Sequence, residues 1–236
     1  MWELEASRKG LPVSELADIG ALHPLVTTFT LGADEPQKMA DGARKYDHAR
    51  RIKLKLTGDL EIDMARVQAV RSARPDVWIG VDANQGYSIE TLRKLIPELV
   101  NAKVSLLEQP LPRGREADLQ GFISPIPVAA DESALSLADL PGLIGRFQIV
   151  NIKLDKCGGL TEALLMAEHA RALGLSVMVG NMGGTSLSMA PALLLGQQCD
   201  LVDLDGPLFL RSDREPAVTY ENGLVSAPRA LWGWPE

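Results

Sequence analysis

Three carboxylic acids and two lysines recur along this chain at nearly even intervals. Asp82, Glu108 and Asp131 follow one another 26 and 23 residues apart. Lys55 lies 27 residues before the first acid and Lys153 lies 22 residues after the last. Each sits in or at the end of a short apolar run: RIKLKL (51–56), VWIGVD (77–82), VSLLEQ (104–109), IPVAAD (126–131) and FQIVNIK (147–153). Lys53 stands two residues before Lys55, so on a strand both ammonium groups point to one side. Asn84 follows Asp82 by two residues, and Asp203 and Asp205 alternate through LVDLD (201–205).

Three carboxylates aimed at one volume repel each other, and a divalent cation relieves that repulsion. A set of oxygen donors without His or Cys indicates a hard ion, and Mg²⁺ suits a few carboxylates completed by water and substrate oxygens. Lys55 and Lys153 would flank such a centre. A lysine acts as a base near neutral pH only if its pKa falls well below about 10.4, and burial, a metal ion and a second ammonium all push it down. Lys53 is therefore expected to disfavour the charged form of Lys55. A metal with two opposed amines suits proton removal from the carbon beside a carboxylate, with the metal stabilising the enolate and the second amine returning a proton on the opposite face. That is 1,1-proton transfer, which inverts a stereocentre; β-elimination or cycloisomerisation could use the same groups. Singly, these residues have plainer roles. The acids could cap helices or pair with surface arginines, Lys53 and Lys55 could face solvent on an edge strand, and Asp203 and Asp205 could cap a turn.

The elements that must carry these groups alternate in kind. Three further strand-like runs, VTTFTL (26–31), SVMVG (176–180) and LVDLD, bring the number to eight, and helix-like stretches such as EPQKMADGARKY, LEIDMARVQAVRSA, SIETLRKLIPELV and LTEALLMAEHARAL lie between strands. Alternation of this kind implies parallel βα units with right-handed crossovers. Eight of them predict an α/β fold of the (β/α)₈ TIM-type barrel, with the strand ends ringed about one pocket and the spaced residues at a common height; an open doubly wound sheet would not gather all those ends. Residues 1–20 read as a helix and turn before the barrel, 21–206 as the barrel, and 207–236 as a C-terminal tail packing back on it, with a hairpin at Asn222-Gly223.

Composition narrows the partners. The 236 residues are 46% hydrophobic and 23% charged, with a formal net charge of −7, which argues against nucleic acid or an anionic membrane. No apolar run approaches the ~20 residues of a membrane span, and the charged N-terminus lacks a signal-peptide core, so a cytoplasmic location is expected. Cys157 and Cys199 read as small apolar side chains. His23, His48 and His169 share no metal or triad spacing.

Taken together, KLK (53–55), VDANQGYS (81–88), LLEQPLP (106–112), AADES (129–133) and NIKLDKCGGLTEA (151–163) resemble the enolase superfamily, in its muconate lactonizing enzyme subgroup. The resemblance runs from residue 26 to 210. It implies a modified (β/α)₇β barrel, Lys55 and Lys153 as the acid/base pair, and Asp82, Glu108 and Asp131 as Mg²⁺ ligands; lysine bases working with Mg²⁺ are an established pattern of the superfamily. The stretch VGNMGGTSLSMAPA carries no His, which disfavours the mandelate racemase branch. VDLDGPL (202–208) resembles the Asp-x-Asp signature of dipeptide epimerases, which implies that Asp205, with Asp203 beside it, binds the α-ammonium of a dipeptide substrate. Muconate cycloisomerase or o-succinylbenzoate synthase chemistry is the alternative, as is a lidless barrel that binds metal and carboxylate without turnover. Family members carry an N-terminal capping domain, of which only the last helix, WELEASRKGLPVSEL (2–16), is expected here. Apolar surface at an uncapped barrel top would favour association between copies, as in a homo-oligomer.

Overall fold

The computed structural model describes residues 1–234. Two short helices open the chain, α1 (Trp2–Lys9) and α2 (Val13–Leu16), followed by β1 (Leu25–Val26) and β2 (Thr28–Leu31). Then come α3 (Pro36–Lys45), β3 (Arg51–Lys55), α4 (Leu60–Ala73), β4 (Trp78–Asp82), α5 (Ile89–Asn101), β5 (Val104–Glu108), β6 (Val128–Ala130), β7 (Ile149–Lys153), α6 (Leu154–Cys157), α7 (Leu160–Ala172), β8 (Ser176–Gly180), α8 (Ser186–Gly196) and β9 (Leu201–Val202). A hairpin, β10 (Thr219–Glu221) and β11 (Leu224–Ser226), and a 3₁₀ turn, Arg229–Leu231, come last among the described residues. Strands β2 to β9 form one parallel eight-stranded sheet in sequence order, a nearly closed barrel. The expected 2–16 helix is instead two helices: Gly10 adopts φ 63° and closes α1, and Pro12 starts α2. Short 3₁₀ turns, Glu116–Leu119 and Leu137–Leu143, stand in for α-helices after β5 and β6.

Local chemistry starts the helices where the sequence has capping residues. The Asp59 carboxylate accepts from the Ile62 amide at the head of α4, and Ser88 forms a reciprocal capping pair with Thr91 at the head of α5. Ile52, Leu54, Ile79 and Val81 alternate outward from their strands and lie fully buried in the layer shared with Val67 and Val70 of α4. The opposite faces of the strands point into the barrel. There Leu106, Ala129, Ile149 and Met178 form a separate apolar cluster, flanked by Trp78 and Leu201. This plug fills the lower barrel, as barrel interiors are filled by side-chain layers, and the polar groups stack above it.

Backbone pairing runs unbroken from β2 to β9, but the seam between β9 and β2 is stitched by side chains. The Leu204 amide donates to Thr27 Oγ1 (2.9 Å), the Thr28 hydroxyl donates to the Asp203 carboxylate, and the Thr30 amide donates to Asp205 Oδ2 (2.6 Å). The Asn222-Gly223 turn forms as expected, at φ 53° and 78°. Its strand β11 pairs with β1 (Leu25↔Val225) beside the entry to the barrel, and the Tyr220 hydroxyl reaches the Leu204 carbonyl at 2.8 Å. The last two residues of the predicted tail lie outside the described residues.

Candidate active site

Strands β3 to β7, at or just past their C-terminal ends, bring Lys55, Asp82, Glu108, Asp131 and Lys153 to the upper barrel, and β3 adds Lys53. Lys55, Asp82 and Glu108 are register partners on β3, β4 and β5. The common height expected for all five ends there. Glu108 is level with Ala129, two residues short of Asp131, and Ala130 is level with Val150, three short of Lys153. The strands of a closed barrel tilt and stagger, so residues facing one axial point advance along successive strands. The stagger still gathers the acids: one oxygen from each of Asp82, Glu108 and Asp131 lies within 4.8 Å of the others, and all three residues are buried.

The lysines attach to this trio from both flanks. Lys55 Nζ donates to Asp82 Oδ2 at 2.6 Å and Lys153 Nζ to Asp131 Oδ2 at 2.6 Å. In strand order the groups run Lys55, Asp82, Glu108, Asp131, Lys153, with Glu108 at the centre. The two amines differ in access: the Lys55 side chain is 32% exposed and that of Lys153 7%. Gly180 makes room for the buried one, since a Cβ there would meet Asn151 Oδ1 at 2.6 Å and Lys153 Cε at 3.0 Å. Lys53, expected to disfavour the charged form of Lys55, is held by acids of its own. It turns inward to Asp203, to Glu108 Oε2 at 3.3 Å and to Asp82 Oδ2 at 3.9 Å. Burial pushes its pKa down, but the Asp203, Glu108 and Asp82 carboxylates outweigh burial and hold it well above the ordinary lysine value. The answer to two lysines on one strand face is therefore a shared set of acids. Lys153 behaves alike: burial lowers its pKa, and Asp131 and Glu108 raise it further than burial lowers it.

The acids respond to where they sit. Burial, reinforced by Asp82, pushes Glu108 up to about 7, with Lys53 pulling the other way. Asp131 falls to about 2, because Lys156 and Lys153 outweigh the effect of burial. Burial and the neighbouring Asp203 raise Asp205 to about 6, whereas Lys53 holds Asp203 below the ordinary range against its own burial. Asp203 is bound to Lys53 and Thr28. Asp205 receives the Thr30 amide and borders an open cavity of about 320 Å³, together with Lys55, Lys153, Asn84 and Asp131. Asn84 is exposed, at φ 44°, and its amide donates to Asp82 Oδ1 at 2.9 Å.

Sequence reasoning passed over three polar residues of this site. Lys156 contacts the Asp131 carboxylate, and its i+3 spacing from Lys153 within NIKLDKCGG was the available signal. Asn151 donates to Glu108 Oε1 at 2.6 Å, and the alternation that paired Lys53 with Lys55 pairs Asn151 with Lys153. Asn181, on the cavity wall, donates to the Asp203 carbonyl at 2.7 Å; nothing in its local sequence marks it. The donor set fits a metal ion. Three buried carboxylates converge with no nitrogen or sulfur donor among them, and the central one is driven towards neutrality by burial and a like charge, a strain that a hard dication relieves.

Fold and site together define an α/β-barrel protein with an acidic metal-binding triad held between lysines. The chain belongs to the enolase superfamily: residues 37–231 match the enolase C-terminal domain-like family. An N-acetyl-D-glutamate racemase from Pseudoalteromonas sp. is 41% identical over 234 residues, covering 99% of this chain and 73% of that protein. The L-Ala-D/L-Glu epimerase of Escherichia coli is 40% identical, covering 94% and 70%. Among solved structures, an Agrobacterium tumefaciens enolase family member with homology to dipeptide epimerases, bound to sodium and L-Ala-L-Glu, superposes with a TM-score of 0.93 at 43% identity, covering 98% and 71%. A dipeptide epimerase from Cytophaga hutchinsonii complexed with Mg and D-Ala-L-Val gives 0.91 at 28% identity, covering 96% and 65%.

Proposed function

We propose that this chain is an isomerase that inverts the α-carbon of a dipeptide by 1,1-proton transfer between Lys55 and Lys153. The observation that carries the reading is the order Lys55–Asp82–Glu108–Asp131–Lys153, in which each amine is hydrogen-bonded to an outer member of the acidic trio. A substrate carboxylate drawn to the centre of that row would present its α-carbon between the two amines. Asp131 and Glu108 favour the charged form of Lys153, so its use as a base requires those carboxylates to be offset, as a cation held by the trio would do. The amine that is neutral takes the α-proton, and the other, as an ammonium, gives a proton to the opposite face. The reverse reaction exchanges the roles.

Asp82, Glu108 and Asp131 would hold Mg²⁺. When bound, the ion would neutralise the trio and stabilise negative charge developing on the substrate carboxylate. The rest falls to the chain's own groups. Asn151 orients Glu108, Lys156 shares Asp131, and Lys53 offsets the charge of Asp203 beneath the cavity. Asp205 takes the substrate's α-ammonium, since a desolvated ammonium needs a carboxylate partner.

The relatives support this class. A racemase of N-acetyl-glutamate and an epimerase of L-Ala-Glu both invert a glutamate whose nitrogen is acylated, and they differ in whether a free ammonium is present. The 41% identity with the first favours a second reading, in which the substrate is an N-acyl amino acid and Asp205 has no charge to meet. Uptake of solvent deuterium at the α-carbon, measured with Mg²⁺ for a dipeptide library and for N-acetyl-glutamate, tests both. The dipeptide reading expects exchange with L-Ala-L-Glu-type substrates that Asp205→Ala weakens at least tenfold in kcat/KM. Exchange confined to N-acetyl-glutamate and untouched by Asp205→Ala selects the second reading, and no exchange with any of them rejects both.

A further inference from the structure

The most highly coordinated acid in the described residues is not in the site. Asp63 is fully buried in the first turns of α4. Its carboxylate accepts from the amides of Thr57 and Gly58 (both 2.9 Å), from Arg66 Nη1 (2.7 Å) and from the Tyr87 hydroxyl (2.6 Å), with a longer bond from Thr57 Oγ1 (3.3 Å). Thr57 and Gly58 form the turn that leaves β3 just after Lys55. Tyr87 ends the turn that leaves β4 just after Asp82 and Asn84, and that turn holds Asn84 and Gln85 at positive φ. Arg66 carries the brace one strand further, because its Nε donates to the Asp34 carbonyl beyond β2 at 2.7 Å. The two central turns also touch through their backbones. A Cβ on Gly86 would lie 2.9 Å from Gly58 Cα, so only a glycine pair permits this approach.

A surface helix gains little from burying a carboxylate this completely. The cost of desolvating it is offset only by its full set of donors, and all of those except Arg66 come from the loops that adjoin one lysine and one acid of the site. We propose that Asp63 and Tyr87 are positioning residues that clamp the β3 and β4 turns together and so fix the Lys55 amine against Asp82. Lys55 is the exposed amine of the pair and needs such support. Lys153 is buried, packed beside Gly180 and Asn151, and lies outside the clamp. The clamp thus acts on one face of the substrate.

This inference rests on the two-lysine reading, and its test separates the two. Deuterium exchange at the α-carbon is measured for each configuration of an L-Ala-Glu substrate at saturating Mg²⁺. Lys55→Ala and Lys153→Ala first assign which configuration each amine serves. Tyr87→Phe, which removes a single hydroxyl, should slow exchange about tenfold for the configuration served by Lys55 and leave the other within about twofold. Gly86→Ala, which forces the turns apart without deleting a hydrogen bond, should give the same one-sided loss. Equal slowing of both configurations by Tyr87→Phe, or none, overturns the clamp while leaving the two-lysine reading intact. Lysine variants with no dependence on configuration overturn the reading and the clamp with it.

Discussion

Asp205 ties chemistry to stability at a single residue. Its pKa near 6 stands above the ordinary 3.8 through burial and Asp203. A carboxyl whose folded pKa is raised favours the fold below its unfolded pKa, and that contribution is lost as pH rises through the folded value. At pH 8 the ionised group should cost on the order of 3 kcal/mol. Asp205→Asn should accordingly raise the stability measured by urea unfolding at pH 8 and lose that advantage near pH 4. Function runs the other way. In the dipeptide reading the ionised carboxylate would hold the substrate ammonium, so KM for a dipeptide should climb as pH falls below about 6, while KM for N-acetyl-glutamate should not follow it. A parallel rise for both substrates would place the ammonium elsewhere.

At the scale of elements, the barrel seam is the weak join. Consecutive strands from β2 to β9 share a backbone ladder, but β9 meets β2 through side-chain bonds, of which Thr27 supplies the one that satisfies the Leu204 amide. Thr27→Val keeps the shape and strands a buried donor, so it should cost about 1–3 kcal/mol in urea unfolding. It should also speed amide hydrogen exchange at Leu204, between the two aspartates. Unchanged exchange there would mean another group closes the seam. The elements themselves were largely legible in the sequence: eight apolar runs and four amphipathic stretches fall where strands and helices form, because two-residue and 3.6-residue periodicities survive burial on different faces. The axial stagger was not legible. Even spacing along the chain suggested one height, but a tilted barrel advances its register, so Asp131 and Lys153 reach the trio from further up their strands. Nor was the fate of Lys53. Spacing shows which face a side chain takes but not which acids meet it, and Asp203, 150 residues away, claims this one.

At the scale of the molecule, the ring is an electrostatic unit assembled from five strands of one barrel. Binding of a dication to the folded chain alone stabilises it by mass action, about 2.7 kcal/mol at a hundredfold excess over Kd. Saturating Mg²⁺ should therefore raise the melting temperature by about 5–10 °C for a domain of this size. Glu108→Gln, which removes the central charge, should abolish that shift. An equal shift in the variant would move the ion away from the trio. The rim of the cavity is apolar in places, with Met182 and Phe209 51% and 57% exposed, and the trio beneath it is buried; charge stabilisation is thus strongest at depth, where water is excluded.

The account stands on two amines working opposite faces of one carbon. The direct measurement is the rate of α-proton exchange in D₂O for L-Ala-L-Glu and L-Ala-D-Glu, each with Lys55→Ala and Lys153→Ala. Each variant should lose exchange for one configuration and keep it for the other, with the two losses complementary, and neither should complete the inversion. Both variants retaining exchange for both configurations would contradict it.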